Sequence, residues 1–309
     1  MKPVISTIKD IYPSSQAEAQ KQRYKSAVTA FAEHFGSIGE HRFFSAPGRT
    51  EICGNHTDHN HGKVFAASVN LDVIAVVEPT KDDKIVIKSE GFPEDSVDLS
   101  QLAVVPEEKN TSASLIRGVA AGFEKEGMKI GGFRAYTTSD VMKGSGLSSS
   151  AAFEVLVGTI LSHLYNGGQV SAVKIAQISQ FAENVYFGKP SGLMDQMASS
   201  VGGFIAIDFK DTSSPIIESV PADFEKFGHA LCIVDAKGDH ADLTAEYAAI
   251  PQEMKAVAGY FTCDTLRQLS KDDIMLNIRV LREQFGDRAV LRSIHFFDCL
   301  LYTSPSPRD

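Results

Sequence analysis

The sequence lacks tryptophan, long apolar runs and closely spaced cysteines. Cys53, Cys232, Cys263 and Cys299 stand far apart with no CxxC pair, which argues against a disulfide framework or a zinc ribbon and favours reduced thiols. The longest apolar runs, such as Val73–Val77, are too short to span a bilayer. No basic, apolar leader opens the chain, so we expect no secretory signal, no membrane association and a cytoplasmic location.

Basic residues are also in deficit. The chain has 30 Lys and Arg against 39 Asp and Glu, a net charge of −9, which argues against a nucleic-acid partner. Its 43% hydrophobic and 22% charged residues are typical of a soluble globular protein, and 309 residues suit two domains. No exposed heptad pattern indicates a coiled-coil oligomer.

The apolar periodicity predicts alternating helices and strands, and therefore an α/β fold. The predicted helices are Ser14–Phe35, Thr111–Glu126, Leu147–Tyr165 and Ser171–Phe187. The predicted strands are His41–Ala46, Val64–Val69, Asp72–Glu78, Ile85–Ser89, Gly131–Ser139, Gly202 to about Asp208, and Leu231–Asp235. The turn residues of Asp211–Pro215 make the best domain boundary.

A Gly/Ser-rich loop, Lys143–Ala152, follows a predicted strand and opens a predicted helix. Glycines let the backbone approach a ligand, and a helix N-terminus offers unpaired N–H groups, so the loop is suited to cradling phosphates. It is not a P-loop, because no Gly-Lys-Ser/Thr ends it. A flexible linker would have the same composition, but it fits poorly with the apolar helix that follows directly.

A second segment, Ala46–His61, is dense in polar residues between strands. Its His56, Asp58, His59 and His61 could be read as a metal site, but their spacing matches neither a helical HxxxH face nor a zinc ribbon. A solvated hairpin tip would also account for these polar residues. Asn, His and Asp are, in addition, the groups that the hydroxyls of a sugar require.

A third segment, Gly188–Met197, places Asp195 in an otherwise apolar stretch, with Glu183 on the preceding helix. A buried carboxylate there needs a partner or a function, whereas an exposed one could simply cap a helix.

Together, these segments resemble the motifs of the GHMP kinase family and, within it, of kinases that phosphorylate the anomeric hydroxyl of galactose. The resemblance covers roughly Ala46 to Tyr247, and the order and spacing of the motifs agree with it. It implies a two-domain α/β (α+β) fold with the active site in the interdomain cleft. It also implies ATP as co-substrate, Mg²⁺, a small-molecule sugar as acceptor, and a monomer.

The roles of individual residues follow from that resemblance. It implies that Asp195 orients the sugar hydroxyl and takes its proton, and that Arg49 lies beside Asp195 and stabilises the transferring phosphoryl group. Ser150 and Glu183 would hold Mg²⁺. The implied sugar-binding residues are Asn55, His56, Thr57, Asp58 and Tyr247. The implied ATP-binding residues are Ser89, Gly144, Ser145, Gly146, Leu147, Ser148, Ser149 and Ser150.

Two positions depart from the family pattern. The family usually has Glu at the position of Asn55 and Tyr at that of His59. An amide can accept a sugar hydrogen bond but carries no charge, so that contact should be weaker. A related sugar of the arabinose, galactosamine or galacturonate type is therefore an alternative substrate. The sequence also leaves open a family kinase for a different alcohol, a non-catalytic sugar and ATP sensor, and a metalloprotein.

The last part of the chain fits the family less well. We expect residues 1–210 to form the N-terminal kinase domain and 211–298 an incomplete C-terminal domain, because no glycine-rich third motif follows Gly203. Residues 299–309 lose the helical period, end in Ser-Pro repeats and are expected to be a non-native tail. We therefore expect the chain as written to be weakly active.

Overall fold

The computed structural model describes residues 7–36, 39–141, 146–234 and 244–302. They form one seven-stranded sheet, with helices on both faces and a further group of helices after residue 244. The strands are β1 (Arg42–Cys53), β2 (Lys63–Pro79), β3 (Lys84–Ser89), β4 (Glu94–Asp98), β5 (Phe133–Ser139), β6 (Phe204–Asp208) and β7 (Ile216–Ser219). The helices are α1 (Ile8–Ile11), α2 (Ala17–Phe35), α3 (Ser112–Lys125), α4 (Ser149–Tyr165), α5 (Ala172–Phe181), α6 (Met194–Val201), α7 (Thr244–Tyr260), α8 (Lys271–Leu276) and α9 (Ile278–Tyr302).

The sheet is organised around β2, the longest strand. The strand order is β4-β3-β5-β2-β6-β7, and β1 also pairs with β2. The sequence predicts two strands here, Val64–Val69 and Asp72–Glu78, but the structure has one. The prediction is wrong because β1 pairs with both halves, across a register shift between Pro47 and Arg49, and keeps the backbone of β2 extended through the two residues between them, Asn70 and Leu71.

Both faces of β2 are covered, which explains its continuous apolar run. Val73, Ala75 and Val77 belong to the main core, where α3 and α4 pack. Ile74 and Val76 point to the other face, against α2. Successive side chains of a strand alternate between faces, so a strand covered on both sides is apolar at every position.

Most of the predicted helices are confirmed. The helices α2, α3 and α4 match the predictions within three residues at each end. The predicted helix Ser171–Phe187 exists, but its α-helical part ends at Phe181 and continues as a π-helical turn, Ala182–Phe187. A π-turn is rare and is often found at functional sites, and apolar periodicity alone does not reveal it.

Three local predictions differ from the structure. The predicted strand Leu231–Asp235 is wrong for its described part, because residues 231–234 are irregular and Val234 is 85% exposed. The edge strand β4 was not predicted, since its sequence is mostly acidic and only Val97 is buried. The helix α9 continues through Cys299 to Tyr302, where the sequence predicts the helical pattern to be lost.

The helices α7 to α9 enclose a core of their own, with Val257, Leu281 and Phe296 at its centre. This layer docks on the sheet through an ion pair from Arg267 Nη2 to Asp208 Oδ2, 2.8 Å long. The strand β7 lies beyond the predicted boundary at Asp211–Pro215 and still pairs with β6. Across the described residues, no helix has both the length and the apolar content needed to cross a membrane.

A buried polar cluster ties the N-terminal helices to the sheet. Asp72 is 3% exposed and accepts hydrogen bonds from Tyr12, Ser45 and Arg23, with an Arg23 Nη1 to Oδ1 distance of 2.6 Å. Arg23 also pairs with Asp140, 2.8 Å away, just before the Gly/Ser loop. The cluster therefore fixes α2 against the chain that leads into that loop.

We expect Asp72→Ala to lower the free energy of unfolding by about 3 kcal/mol, because it leaves several buried donors without their acceptor. The matched control is Asp140→Ala, which removes the 41% exposed partner of the same arginine. It should cost less than about 1 kcal/mol. Urea unfolding measures both, and equal losses would show that Asp72 is not the centre of the cluster.

Candidate active site

The site is centred on an ion pair between Arg49 of β1 and Asp195 in the first turn of α6. The guanidinium donates twice to the carboxylate, from Nε to Oδ1 at 2.7 Å and from Nη2 to Oδ2 at 2.8 Å. Arg49 is 7% exposed, and the side chain of Asp195 is 16% exposed. Bidentate geometry fixes the orientation of both side chains as well as their charge.

The surroundings of Asp195 decide its ionisation. Burial by itself would raise the pKa of Asp195, but the charge and hydrogen bonds of Arg49 outweigh it, helped by His56 and Ser148, and the pKa falls well below its usual value. The Nδ1 atom of His56 lies 4.0 Å from Oδ1. Asp195 is therefore a carboxylate, and a hydrogen-bond acceptor, throughout the neutral pH range.

The backbone at the start of α4 packs directly on this pair. Arg49 donates from Nη1 to the Gly146 carbonyl at 2.6 Å, and its backbone N–H donates to the Leu147 carbonyl at 3.1 Å. Ser148 has a left-handed backbone, with a φ of 55°, and its hydroxyl donates to Asp195 Oδ2. Thus Gly146, Leu147 and Ser148 all touch the pair or its backbone.

The other residues of the Gly/Ser loop are only partly described. Gly144 and Ser145 lie outside the described residues. Ser149 is the first residue of α4, where N–H groups without helical partners are available for an anion. Ser89 ends β3, which runs parallel to β5, and accepts a hydrogen bond from Thr137 Oγ1 at 2.8 Å. It therefore lies at the edge of the sheet from which the loop departs.

Ser150 and Glu183 face each other across α4 and the π-turn. The Ser150 hydroxyl donates to Glu183 Oε1 at 2.9 Å, and Lys189 Nζ lies 2.9 Å from the same oxygen. Glu183 is 1% exposed. A hydroxyl and a carboxylate are oxygen donors of the kind that a hard divalent cation prefers, so this pair of residues fits Mg²⁺ in its chemistry.

The polar segment before β2 forms a tight turn with unusual backbone geometry. Asn55 and His56 are both left-handed, each with a φ of 52°, and their side chains are exposed. Glu51, which sequence reasoning missed, accepts the His56 N–H with both oxygens, at 2.9 and 3.1 Å. Adjacent left-handed residues other than glycine are strained, and such strain concentrates at ligand-binding sites.

The next two residues point inward. Thr57 donates its hydroxyl to the Lys63 carbonyl at 3.1 Å and closes the turn. Asp58 is 4% exposed and accepts the Met194 N–H at 2.9 Å, at the start of α6. Gly192 must lack a Cβ, because one would overlap the Asp58 carboxylate. In this structure both side chains therefore hold the turn and α6 in place.

The histidines do not form a metal site. His59 is partly buried next to Asn60, whose Nδ2 lies 2.8 Å from its Nδ1, and burial lowers the pKa of His59. The ring of His56 is instead near Glu51 and Asp195. Across the described ranges, no group of three or more His, Cys, Asp or Glu side chains could hold a metal ion. The metalloprotein alternative therefore has no structural support.

Tyr247 lies apart from the ion pair in the helical layer. It is 53% exposed in the first turns of α7. The same helix reaches the turn at Thr57–Asn60, where Asn60 Nδ2 donates to Met254 Sδ at 3.5 Å. Tyr247 precedes Met254 by about two helical turns, or roughly 10 Å along the axis.

Two family models and several curated galactokinases are similar to this chain. Residues 29–79 match the galactokinase galactose-binding signature, and residues 114–203 match the N-terminal domain of GHMP kinases. The chain is 34% identical over 195 residues to a galactokinase of Lacticaseibacillus paracasei, covering 62% of this chain and 50% of that protein. It is 29% identical over 267 residues to a Streptomyces coelicolor galactokinase, covering 85% and 68%. The chain thus spans about half the length of the Lacticaseibacillus paracasei protein.

Solved structures with a similar fold include a galactokinase and a mevalonate kinase. The crystal structure of Lactococcus lactis galactokinase complexed with galactose aligns with a TM-score of 0.77 and 25% identity, covering 91% of this chain and 72% of that one. A Methanococcus jannaschii mevalonate kinase shares the fold, with a TM-score of 0.52 at 16% identity.

In sequence and in fold, the chain is similar to the GHMP kinase family. Within that family, its similarity is to the galactokinases, whose galactose-binding signature it carries.

The Arg49–Asp195 pair determines how the free energy of unfolding should depend on pH. In the wild type, Asp195 is ionised above its unfolded-state pKa of about 3.9 in both states, so it adds no pH dependence between about pH 5 and 8. The stabilisation that it contributes is lost only as the pH falls through its lowered native pKa. In Arg49→Met, burial acts without the countercharge and should raise that pKa.

The Arg49→Met variant should therefore gain stability, by on the order of 1 kcal/mol, when the pH is lowered from 7 to 5. The reference is the double variant Arg49→Met/Asp195→Asn, which cannot titrate at this position. Urea unfolding of both proteins at the two pH values measures the difference. Identical pH dependence would show that Arg49 does not control the ionisation of Asp195.

Proposed function

We propose that this protein transfers the terminal phosphoryl group of ATP to the anomeric hydroxyl of galactose, giving galactose 1-phosphate and ADP. The observation that carries the proposal is the bidentate Arg49–Asp195 pair at the start of α4, next to a turn that matches a galactose-binding signature. A buried carboxylate held ionised beside an exposed polar turn is suited to receiving a hydroxyl group of a sugar.

In the proposed reaction, the anomeric oxygen attacks the terminal phosphorus of ATP, and the bond from that phosphorus to the ADP oxygen breaks. The hydroxyl proton passes to Asp195. A carboxylate of lowered pKa is a weak base, but a loose transition state needs little activation of the nucleophile, so orientation is its main contribution. Arg49 would remain paired with Asp195 and offset negative charge on the transferring group.

The nucleotide phosphates would lie against the N-terminus of α4 and the loop before it, including Gly144, Ser145 and Ser149. The Ser148 hydroxyl also donates to Asp195, so the loop and the proposed proton acceptor are held together. Ser89, at the same edge of the sheet, would contact the nucleotide. Ser150 and Glu183 would hold Mg²⁺, which neutralises phosphate charge when bound.

The exposed residues of the turn after β1 would bind the sugar. Asn55 and His56 are exposed, and the Asn55 amide nitrogen lies 3.0 Å from His295 Nε2 of α9. Asp58 and, from α7, Tyr247 would also contact the sugar. Thr57 would contribute through the turn that it closes. We also propose that the residues up to about 210 form one domain and the later helices a second, with the site in the cleft between them, and that the protein acts as a cytoplasmic monomer.

The proposal is tested by measuring kcat/KM for galactose, arabinose, N-acetylgalactosamine and galacturonate. Galactose should be preferred, and Asp195→Ala should lower turnover at least about 1000-fold while leaving ATP binding, measured by calorimetry, within about 3-fold. Preference for another sugar would replace galactose as the substrate. Turnover that survives Asp195→Ala would contradict the mechanism.

The Asn55→Glu substitution tests the sugar contact at the position where the chain departs from its family. A carboxylate accepts a stronger hydrogen bond than an amide by about 1 kcal/mol, so kcat/KM for galactose should rise about 5-fold. Asn55→Asp, which has the charge but is one carbon shorter, is the matched control and should gain less. An unchanged kcat/KM in Asn55→Glu would show that this side chain does not contact the sugar.

A further inference from the structure

A fully buried polar group lies behind the candidate site and takes no part in the proposed chemistry. Glu154 of α4 and Gln196 of α6 are both 0% exposed. The Gln196 Nε2 atom donates to Glu154 Oε2 at 3.1 Å and to Glu183 Oε2 at 2.8 Å. Both partners offer acceptor oxygens here, so it is the amide nitrogen of Gln196 that faces them.

The amide therefore joins the elements that carry the site. Gln196 follows Asp195 directly in α6, Glu154 lies one helical turn after Ser150 in α4, and Glu183 lies in the π-turn. The bridge uses both hydrogens of one amide group. Any rotation of Gln196 would break both bonds at once.

Glu183 is held on both of its oxygens. Oε1 accepts from Ser150 and Lys189, both at 2.9 Å, and this is the side that faces Ser150. Oε2 accepts from Gln196 and from Ser191, the latter at 2.6 Å. The contacts on Oε2 fix the rotation of the carboxylate, so that Oε1 faces Ser150 and Lys189.

The surroundings of Glu154 favour its neutral form. Burial, reinforced by the negative charge of Glu183, raises the pKa of Glu154 well above its ordinary value. Its second oxygen, Oε1, has no hydrogen-bond partner within the described residues, and neither does the Gln196 oxygen. Buried polar atoms left unpaired cost stability, so packing alone would favour apolar residues at these two positions.

We propose that Glu154 and Gln196 are positioning residues that fix the carboxylate of Glu183 for binding the divalent cation of the reaction. Gln196 holds Glu183 through Oε2, and Glu154 anchors the amide of Gln196. Because Gln196 is the neighbour of Asp195, the same unit keeps the cation-binding carboxylate in register with the proposed proton acceptor. The inference rests on the proposed function for the identity of the cation.

The main test is Gln196→Met, which keeps the length of the side chain and removes both donors. The Mg²⁺ concentration for half-maximal rate should rise about 10-fold, the usual effect of losing a partner of a metal ligand, while KM for galactose changes less than about 2-fold. The Mg²⁺ dependence of ADP binding, measured by calorimetry, should shift by the same factor. This binding measurement does not depend on catalytic turnover.

Variants at Glu154 separate positioning from packing. Glu154→Leu, which loses the anchor, should raise the Mg²⁺ requirement, whereas Glu154→Gln keeps an acceptor oxygen and should stay within about 3-fold of the wild type. Thr159→Val is the control in the same helix, because within the described ranges the Thr159 hydroxyl bonds locally, to the Val155 carbonyl at 2.7 Å. Its Mg²⁺ requirement should not change.

The outcomes are distinguishable. Loss of thermal stability and turnover in Gln196→Met with an unchanged Mg²⁺ requirement would overturn the inference, since a purely structural role predicts that result. If Gln196→Met does not fold, a Glu154→Leu protein with the wild-type Mg²⁺ requirement overturns it equally. A wild-type protein that binds Mg²⁺ with ADP but phosphorylates no sugar would contradict the proposed function and leave this inference standing.

Discussion

The burial of Asp195 is the constraint around which the site is built. A carboxylate removed from water at the start of a helix is unfavourable unless a cation and donors replace its hydration. Arg49 supplies both in one planar group, with Ser148 as a further donor. This requires β1, α6 and the segment before α4 to meet at one point, and the close packing of Gly48, where a Cβ would lie 3.0 Å from the Leu147 carbonyl, follows from it.

The polar turn after β1 serves two purposes through two successive pairs of residues. Asn55 and His56 are exposed and strained, whereas Asp58 is buried and holds the start of α6. A substrate that contacts the outer residues would therefore act on the same short segment that positions Asp195. Glu51 stabilises the strained backbone by accepting the His56 N–H, which explains how two left-handed residues persist side by side.

Regular elements with strong apolar periodicity were predictable, because a helix such as α3 buries one face whatever its neighbours are. Predictions failed where neighbours decide the outcome. The strand β2 is unbroken because β1 pairs along both of its halves. The strand β4 forms, despite its acidic sequence, because it pairs with β3. Residues 231–234 have the composition of a strand but pair with none in the described part of the chain.

The sequence by itself determined which chemical groups are present, in which order, and that a Gly/Ser loop enters a helix, since these depend on residue type and local spacing. Tertiary structure alone decided which groups meet. Arg49 and Asp195 are 146 positions apart, and Gln196 joins Glu154 to Glu183 across 42 and 13 positions. It also decided that Ser148 reaches the carboxylate and that Thr57 turns inward. Such contacts depend on how whole elements pack, and no short stretch of sequence contains that information.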